Sequence, residues 1–238
     1  MHDSRILGRA RSLLPRFLLR RLDPFHARIE DRLKAFAAAL PPGARVLDAG
    51  AGECGFRPLF AANRYVGVDN MVGDPRWDYG RLSAIANLDA LPFPDASFSA
   101  AISIVVLEHL TDPGVALREV RRVLDPGGRL LIAVPQFWEL HQEPHDFYRY
   151  TRFGLEHLLR SSGFRLLDLQ PTGGYFLLIA KLSIDLLQFF ERGAGWILFV
   201  PLAPFFGFLF PLLLYYLDKL DRKKDFAVGF VAVAAPGV

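Results

Sequence analysis

The segment Val46 to Gly55, VLDAGAGECG, runs a buried-strand pattern into an acid and then a chain of glycines, and a second short strand, Tyr65 to Val68, follows and ends in Asp69. Glycine at positions 50 and 52 lets the main chain approach a ligand, or take up a positive φ, because a Cβ there would block either. Asp69, at the tip of the neighbouring strand, is placed to accept both hydroxyls of a ribose. Alone, the glycine turn is equally a tight strand-to-helix connection with no ligand. The acid at the second strand tip moves the reading toward a nucleoside cradle.

The rest of the chain supplies a sheet around that cradle. Asp23-Pro24 caps a helix whose apolar face is Phe25, Ile29, Leu33, Phe36, Ala37 and Leu40. Strands are expected at Arg45 to Ala49, Tyr65 to Val68, Ser83 to Leu88, Ala100 to Val106, Arg129 to Pro135, Phe164 to Gln170 and Phe226 to Ala235. The nearly continuous apolar run of the fourth is that of a strand covered on both faces, as in parallel sheets. Helices are expected at Gly55 to Asn63, Pro113 to Leu124, capped by Asp112, and Arg152 to Ser162. The polar stretch Asn70 to Leu82 reads as a loop.

Hydrophobic residues make up 52% of the 238 and mean hydropathy is +0.22. The surplus is local: Gly193 to Leu217 holds no charged residue, and Tyr175 to Phe190 is nearly as apolar, broken by Lys181 and Asp185. From Trp196 to Leu217, 14 Leu, Phe, Ile or Val residues would gain roughly 4 to 8 kcal/mol on membrane insertion, while Pro201, Pro204 and Pro211 each cost up to about 3 kcal/mol inside a helix. The two nearly cancel, so a broken helix or a pair of short ones is expected rather than one straight span. If the last strand completes the same sheet, the chain must return to the side it left, and the insertion either crosses twice or dips in. Asp218 to Asp225, DKLDRKKD, then fits a cytosolic surface. The alternative is a lid or a homodimer face.

The net charge of +3 is uneven, since residues 1–34 carry nine Lys or Arg against four acids, a net of +5, which leaves −2 for the remainder. Ile6, Leu7, Ala10, Leu13, Leu14, Phe17 and Leu18 recur at helical spacing among Arg9, Arg16 and Arg20, as in a helix on an anionic membrane surface. An arm packed on its own domain fits equally, and Pro15 limits any continuous helix. No stacking aromatics accompany the arginines, so no nucleic-acid partner is expected. The single cysteine, Cys54, excludes an internal disulfide and reads as a small filler. Pro15 and Arg16 interrupt the run Leu13 to Leu19, no clean secretory signal results, and a cytoplasmic location is expected. The divisions expected are a basic arm (1–22), an α/β domain (23–174 and 225–238) and a membrane-associated hydrophobic insertion (175–224).

Read together, VLDAGAGECG, YVGVDN, NLDALPFPDASF, VVLEHLTDP, LREVRRVLDPGGRLLIAVP and the closing strand resemble the class I S-adenosylmethionine-dependent methyltransferases, in particular the bacterial quinone and small-molecule group. The similarity runs from Pro42 to Gln170 and includes the last strand. It implies a Rossmann-like α/β fold with a seven-stranded sheet, an antiparallel last strand and S-adenosylmethionine across the tips of strands one, two and four. By that resemblance, Asp48 with the backbone at Gly50 and Gly52 holds the methionine part and Asp69 the ribose. Asn70 meets the neighbouring adenosine edge, Asp89 with Ala90 the adenine, and Ile104 lines the methionine side. Two positions depart from the pattern: the third glycine is displaced by one, to Gly55, and Ser99 stands where an Asp often opens strand four. His141 to Thr151, HQEPHDFYRYT, resembles a subgroup found among genes for polysaccharide and lipid-linked glycan assembly, which points to a hydrophobic or lipid-linked acceptor.

Methyl transfer from a sulfonium is an in-line displacement that needs alignment more than acid or base, but a hydroxyl acceptor gains from a base near neutral pH, such as His. The loop after strand five carries His145 beside Asp146, the first candidate for a base with its orienting carboxylate, together with Tyr148. Equally, Asp146 pairs with Arg149 to pin the loop and His145 only shapes the wall. His109 is a second candidate, or a packing histidine. Glu139, His141, Glu143 and His145 have the composition of a metal site, but Pro144 opposes the helix that would align two histidines four apart, so no metal is expected there. The expected activity is methyl transfer to a small, hydrophobic or lipid-linked acceptor at the cytosolic membrane face. The alternative is a non-enzymatic scaffold or regulatory protein that keeps the fold.

Overall fold

The computed structural model describes residues 14–191 and 193–237. Strands β1 (Arg45–Ala49), β2 (Arg64–Asp69), β3 (Ala84–Ile85), β4 (Phe98–Ile104), β5 (Leu124–Pro135), β6 (Phe164–Pro171) and β7 (Gly229–Pro236) form one sheet in the order β3-β2-β1-β4-β5-β7-β6. The first five are parallel, with Val46 opposite Tyr65 on one side and Ala100 on the other. The last strand enters antiparallel between β5 and β6. Val46, Leu47, Ile102 and Leu130 to Val134 are fully buried, which explains why these segments read as unbroken apolar runs.

Helices α1 (Arg16–Leu22), α2 (Pro24–Ala38), α3 (Pro113–Val123) and α4 (Arg152–Ser161) precede the insertion, which is built from α5 (Tyr175–Asp185), α6 (Trp196–Pro204) and α7 (Phe210–Leu217). The described residues fall into two compact units, 31–170 with 230–237 and 14–30 with 171–229. The start signals act as read: His26 N–H donates to Asp23 Oδ1 (3.2 Å), Val115 N–H to Asp112 Oδ1 (3.0 Å) and Gly154 N–H to Thr151 Oγ1 (3.1 Å).

Besides β5, which begins at Leu124 rather than Arg129, and β7, which begins at Gly229 rather than Phe226, four elements differ from expectation. The strand expected at Ser83 to Leu88 shrinks to Ala84–Ile85, because β2 ends opposite it at Asp69 and leaves nothing to pair with. β4 stops at Ile104, since Val105 takes φ +58° and turns the chain out of the sheet. The helix expected at Gly55 to Asn63 is a single 3-10 turn, Arg57–Phe60, with only Phe60 buried and no apolar stripe to sustain more. The break expected at the prolines of the insertion is a π turn, Phe205–Leu209, lying between Pro204 and Pro211, in which the Phe210 N–H reaches back to the Phe205 carbonyl. That wider turn absorbs the missing proline donors, and Gly193–Leu220 becomes one helical run of 28 residues, long and apolar enough to cross a membrane by length and composition.

The second unit closes on itself. Asp218, at the end of α7, accepts from Gly174 N–H (3.1 Å) and Leu177 N–H (3.3 Å) at the start of α5, and Asp221 accepts from Tyr175 N–H (2.7 Å). The insertion therefore leaves and returns at one place, with two carboxylates on the positive end of α5. Leu187, Phe199 and Ala203 form its small core, while Phe189, Ile197, Leu198, Val200, Leu209 and Leu213 are exposed. In α1, Arg16 and Arg20 both pair with Glu30, and the Arg21 guanidinium lies over the Phe17 and Tyr216 rings. These described arginines are held by their own unit. Ile6, Leu7, Arg9, Ala10 and Leu13 of the basic arm lie outside the described residues.

Candidate active site

The neighbours of β1 are β2 on one side and β4 on the other, so the chain winds away in opposite directions from that strand, and a crevice opens at its carboxyl end. A cavity of about 620 Å³ occupies it. Gly50 turns the chain there at φ +86°, and a Cβ on it would lie 2.5 Å from Val106 Cγ2. Gly52 follows at φ +49°, with a would-be Cβ 3.3 Å from the Trp77 ring. Both the conformation and the space require glycine. The displaced third glycine costs little: Cys54 takes the left-handed turn itself (φ +57°) and its thiol fills the space over Gly67.

Asp69 carries the geometry read for it. Its Oδ2 accepts from Gly52 N–H (2.9 Å) and its Oδ1 from Met71 N–H (2.7 Å), which aims the carboxylate into the cavity and leaves each oxygen a further lone pair. Asn70, Asp89 and Ile104 also line the wall, while Ala90 is not among the lining residues. Asp48 is the exception. It is 1% exposed, points away from the cavity and accepts the Tyr65 hydroxyl proton. It supports the strand rather than a ligand, because side chains alternate along β1 and this one falls on the face toward Tyr65.

Burial pushes the Asp48 carboxyl up, Tyr65 partly offsets this and Asp69 adds to it, and the result is about 7. The folded chain then holds a proton that the unfolded chain has released, so this group makes stability fall as pH rises from the ordinary 3.8 to about 7. Asp48→Asn, which keeps an acceptor for Tyr65, is expected to remove that slope and to gain on the order of a few kcal/mol at neutral pH. Urea unfolding of both proteins across this range checks it. A variant less stable than the parent at neutral pH would contradict the assignment.

The far wall comes from the turn after β4 and the loop after β5. His109, Leu110, Gln142, His145 and Phe147 face the cavity. The pairing of His145 with Asp146 does not form. Arg149 takes Asp146 in a two-pronged bond (2.6 and 2.7 Å), and the other neighbour of that carboxylate is the His141 N–H (2.9 Å). Burial works to raise Asp146, but the guanidinium and that N–H outweigh it and hold it at about 2. A buried carboxylate beside a guanidinium fork is captured by it in preference to an exposed imidazole. Tyr148 donates its hydroxyl to the Thr111 carbonyl (2.9 Å) and Tyr150 to that of Leu107 (2.8 Å). The DFYRY segment is thus a clasp that docks the loop, and His145 is left as the exposed imidazole on the wall. Tyr148→Phe is expected to lower turnover less than about tenfold, the effect of one lost neutral hydrogen bond, whereas an acid at that hydroxyl would lose far more. Steady-state rates decide.

Behind the clasp, Glu108 is 0% exposed, and burial raises its carboxyl to about 8 against the smaller opposing pull of its backbone bond and Arg149. Burial lowers His109. Four carboxylates line the cavity, Glu53, Asp69, Asp89 and Asp112, and among the described residues no Lys or Arg does. Such a wall repels phosphate and attracts a cation.

A model of the methyltransferase domain family matches residues 47–132. The chain carries a class I S-adenosylmethionine-dependent methyltransferase domain. Within it, the ubiquinone/menaquinone biosynthesis C-methyltransferase UbiE of Hahella chejuensis is 55% identical over 47 residues, 20% of this chain and 19% of that protein. A probable S-adenosylmethionine-dependent methyltransferase of Mycolicibacterium smegmatis is 39% identical over 99 residues, 39% of this chain and 38% of that one. The chain spans between 19% and 39% of the length of such curated relatives. The fold is shared with the 1,6-didemethyltoxoflavin-N1-methyltransferase of Burkholderia thailandensis, solved with its acceptor and S-adenosylhomocysteine (TM-score 0.53, 19% identity, 100% of this chain and 92% of that one).

The methyltransferase domain fits its cofactor on this chain's own terms: a cradle that a Cβ would fill, an oriented strand-tip acid with spare lone pairs, and an anionic wall for a sulfonium. Trp77, Asn87, Leu88, Val106 and Phe147 belong to the wall too and escaped the sequence reading. Trp77 and Asn87 sit in or beside a polar stretch with no periodicity, and only Asn87 left a trace, as the neighbour of Asp89.

Proposed function

We propose that the protein transfers a methyl group from S-adenosylmethionine to a small hydrophobic or lipid-linked acceptor at the cytosolic face of a membrane. The observation that carries this is the cavity wall with four carboxylates and, among the described residues, no Lys or Arg. It favours a sulfonium over a dinucleotide, whose phosphates need donors or positive charge. When bound, S-adenosylmethionine supplies an electrophilic methyl carbon. Asp69 accepts the ribose hydroxyls, the backbone at Gly50 and Gly52 and the side chain of Ile104 hold the methionine end, and Asn87 and Asp89 meet the adenine. Leu110 and Phe147 exclude water from the reacting centre, and His145 takes the proton of a hydroxyl acceptor at a ring nitrogen.

The membrane part rests on the hairpin. Its two ends meet at Gly174 and Asp218, so any insertion re-emerges on the side it entered. Tyr175 to Phe190, 16 residues, would reach at most about 24 to 32 Å as a mix of α and 3-10 turns. The charged pair Glu191-Arg192, which separates the two apolar runs in the sequence, favours a hairpin lying in the interfacial plane over one inserted tip first. Isothermal titration with S-adenosylmethionine and transfer of a labelled methyl group to a membrane lipid extract test the chemistry. Binding without transfer to any acceptor would favour the scaffold alternative. Cell fractionation tests the location, and recovery of the intact protein in the soluble fraction without detergent would overturn it.

A further inference from the structure

We propose that Glu108, His109 and His141 bind one divalent cation of zinc-like preference, at a site behind the acceptor wall. Their ligand atoms lie within 4.8 Å of one another. Glu108 Oε1 is 3.9 Å from His109 Nε2 and 4.0 Å from His141 Nε2. These gaps are too long for hydrogen bonds, and the side chains need close in by only about half an ångström to reach the ~3.4 Å between two ligands of one tetrahedral ion at about 2.0 to 2.2 Å each.

The decisive feature is that buried polar atoms converge without a hydrogen bond between them. His109 Nδ1 lies 2.6 Å from the His145 carbonyl, and His141 Nδ1 lies 3.1 Å from the Glu139 carbonyl with Asp146 Oδ2 at 3.4 Å. Each of these partners can only accept, so in both rings the proton sits on Nδ1 and Nε2 presents a bare lone pair. Both Glu108 oxygens and both Nε2 atoms are buried and make no hydrogen bond to another residue. Buried polar atoms without a partner are costly to leave so, and one cation would satisfy both Nε2 atoms and one Glu108 oxygen. The carbonyl that fixes each ring is the second shell usual for metal-binding histidine.

Two of the three ligands come from the turn after β4, and this set differs from the Glu139, His141, Glu143, His145 spacing weighed in the sequence. The ion would join that turn to the loop carrying Gln142, His145 and Phe147, and so hold the acceptor wall in place. Three protein ligands leave the fourth tetrahedral position to a water or an acceptor oxygen.

The test uses the full chain in detergent, stripped with a chelator and then titrated with Zn²⁺, with Co²⁺ as a spectroscopic probe of the same site. One equivalent of Zn²⁺ retained through dialysis, and Co²⁺ bands in the visible range typical of low coordination number, are expected. Glu108→Gln and His141→Gln should each weaken Zn²⁺ by about 100-fold or more, whereas His157→Gln, on the exposed face of α4, should leave the stoichiometry at one. If His141→Gln fails to fold, the isosteric Glu108→Gln decides. No retained metal in the parent chain, or equal affinity in Glu108→Gln, overturns the proposal. Methyl transfer is not among the readouts, so this result stands or falls apart from the proposed activity.

Discussion

Asp69→Ala is expected to weaken S-adenosylmethionine binding by about 10² to 10³-fold in isothermal titration, which corresponds to two hydrogen bonds to a charged acceptor at about 1.5 to 3 kcal/mol each less some compensation by water. Two effects add. The ribose hydroxyls lose their acceptor, and the Gly52 and Met71 N–H groups lose the carboxylate that now holds the glycine turn in shape. Asp69→Asn separates them, because an amide keeps one acceptor oxygen for the turn. Its loss should be intermediate, and far-ultraviolet circular dichroism should show both variants folded. An alanine variant that binds like the parent would remove the nucleoside cradle, and with it the proposed chemistry.

Asp218→Ala is expected to cost about 3 to 5 kcal/mol in denaturant unfolding, the scale of a buried ion pair broken from one side. Asp218 is 2% exposed. Its Oδ2 takes the Lys224 ammonium at 2.6 Å, with Arg28 at 3.7 Å, while Oδ1 caps the first turn of α5. Alanine takes the carboxylate from the Lys224 ammonium, which keeps only the main-chain carbonyl of residue 218, and leaves two N–H groups unpaired at the point where the hairpin is tied shut. Asp218→Asn keeps the cap and loses only the charge, so it should cost less than half as much. Hydrogen exchange at Gly174 and Leu177 localises the effect, and a loss under about 1 kcal/mol would mean that the hairpin is held elsewhere.

The same physics separates what was legible from what was not. The strands, the glycine turn, Asp69 and the helix caps are written in short-range terms: apolar period, the φ that only glycine takes easily, an acceptor placed two or three residues before an N–H. These needed no partner from elsewhere. The role of Asp48 did need one. Its position in the motif looked like a ligand contact, but the pleat of β1 and the hydroxyl of Tyr65 on β2 turn it inward. The pairing of Asp146 likewise depended on which of two neighbours, His145 or Arg149, the loop would bring around. The π turn was hidden because proline costs are additive in sequence but can be relieved together by one wider turn.

By itself, then, the sequence determined a parallel α/β sheet with a nucleoside cradle, and an apolar insertion that must come back to where it began. Each of these follows from patterns confined to a few neighbouring residues or from chain connectivity. Tertiary structure alone decided which carboxylates face the cavity, that the loop after β5 is clasped by Tyr148, Tyr150 and Arg149, and that Glu108, His109 and His141 meet. Those outcomes depend on sheet order, which sets β5 beside β4 and brings the ends of both to one edge. Distance between side chains is a property of that edge, and no local pattern encodes it.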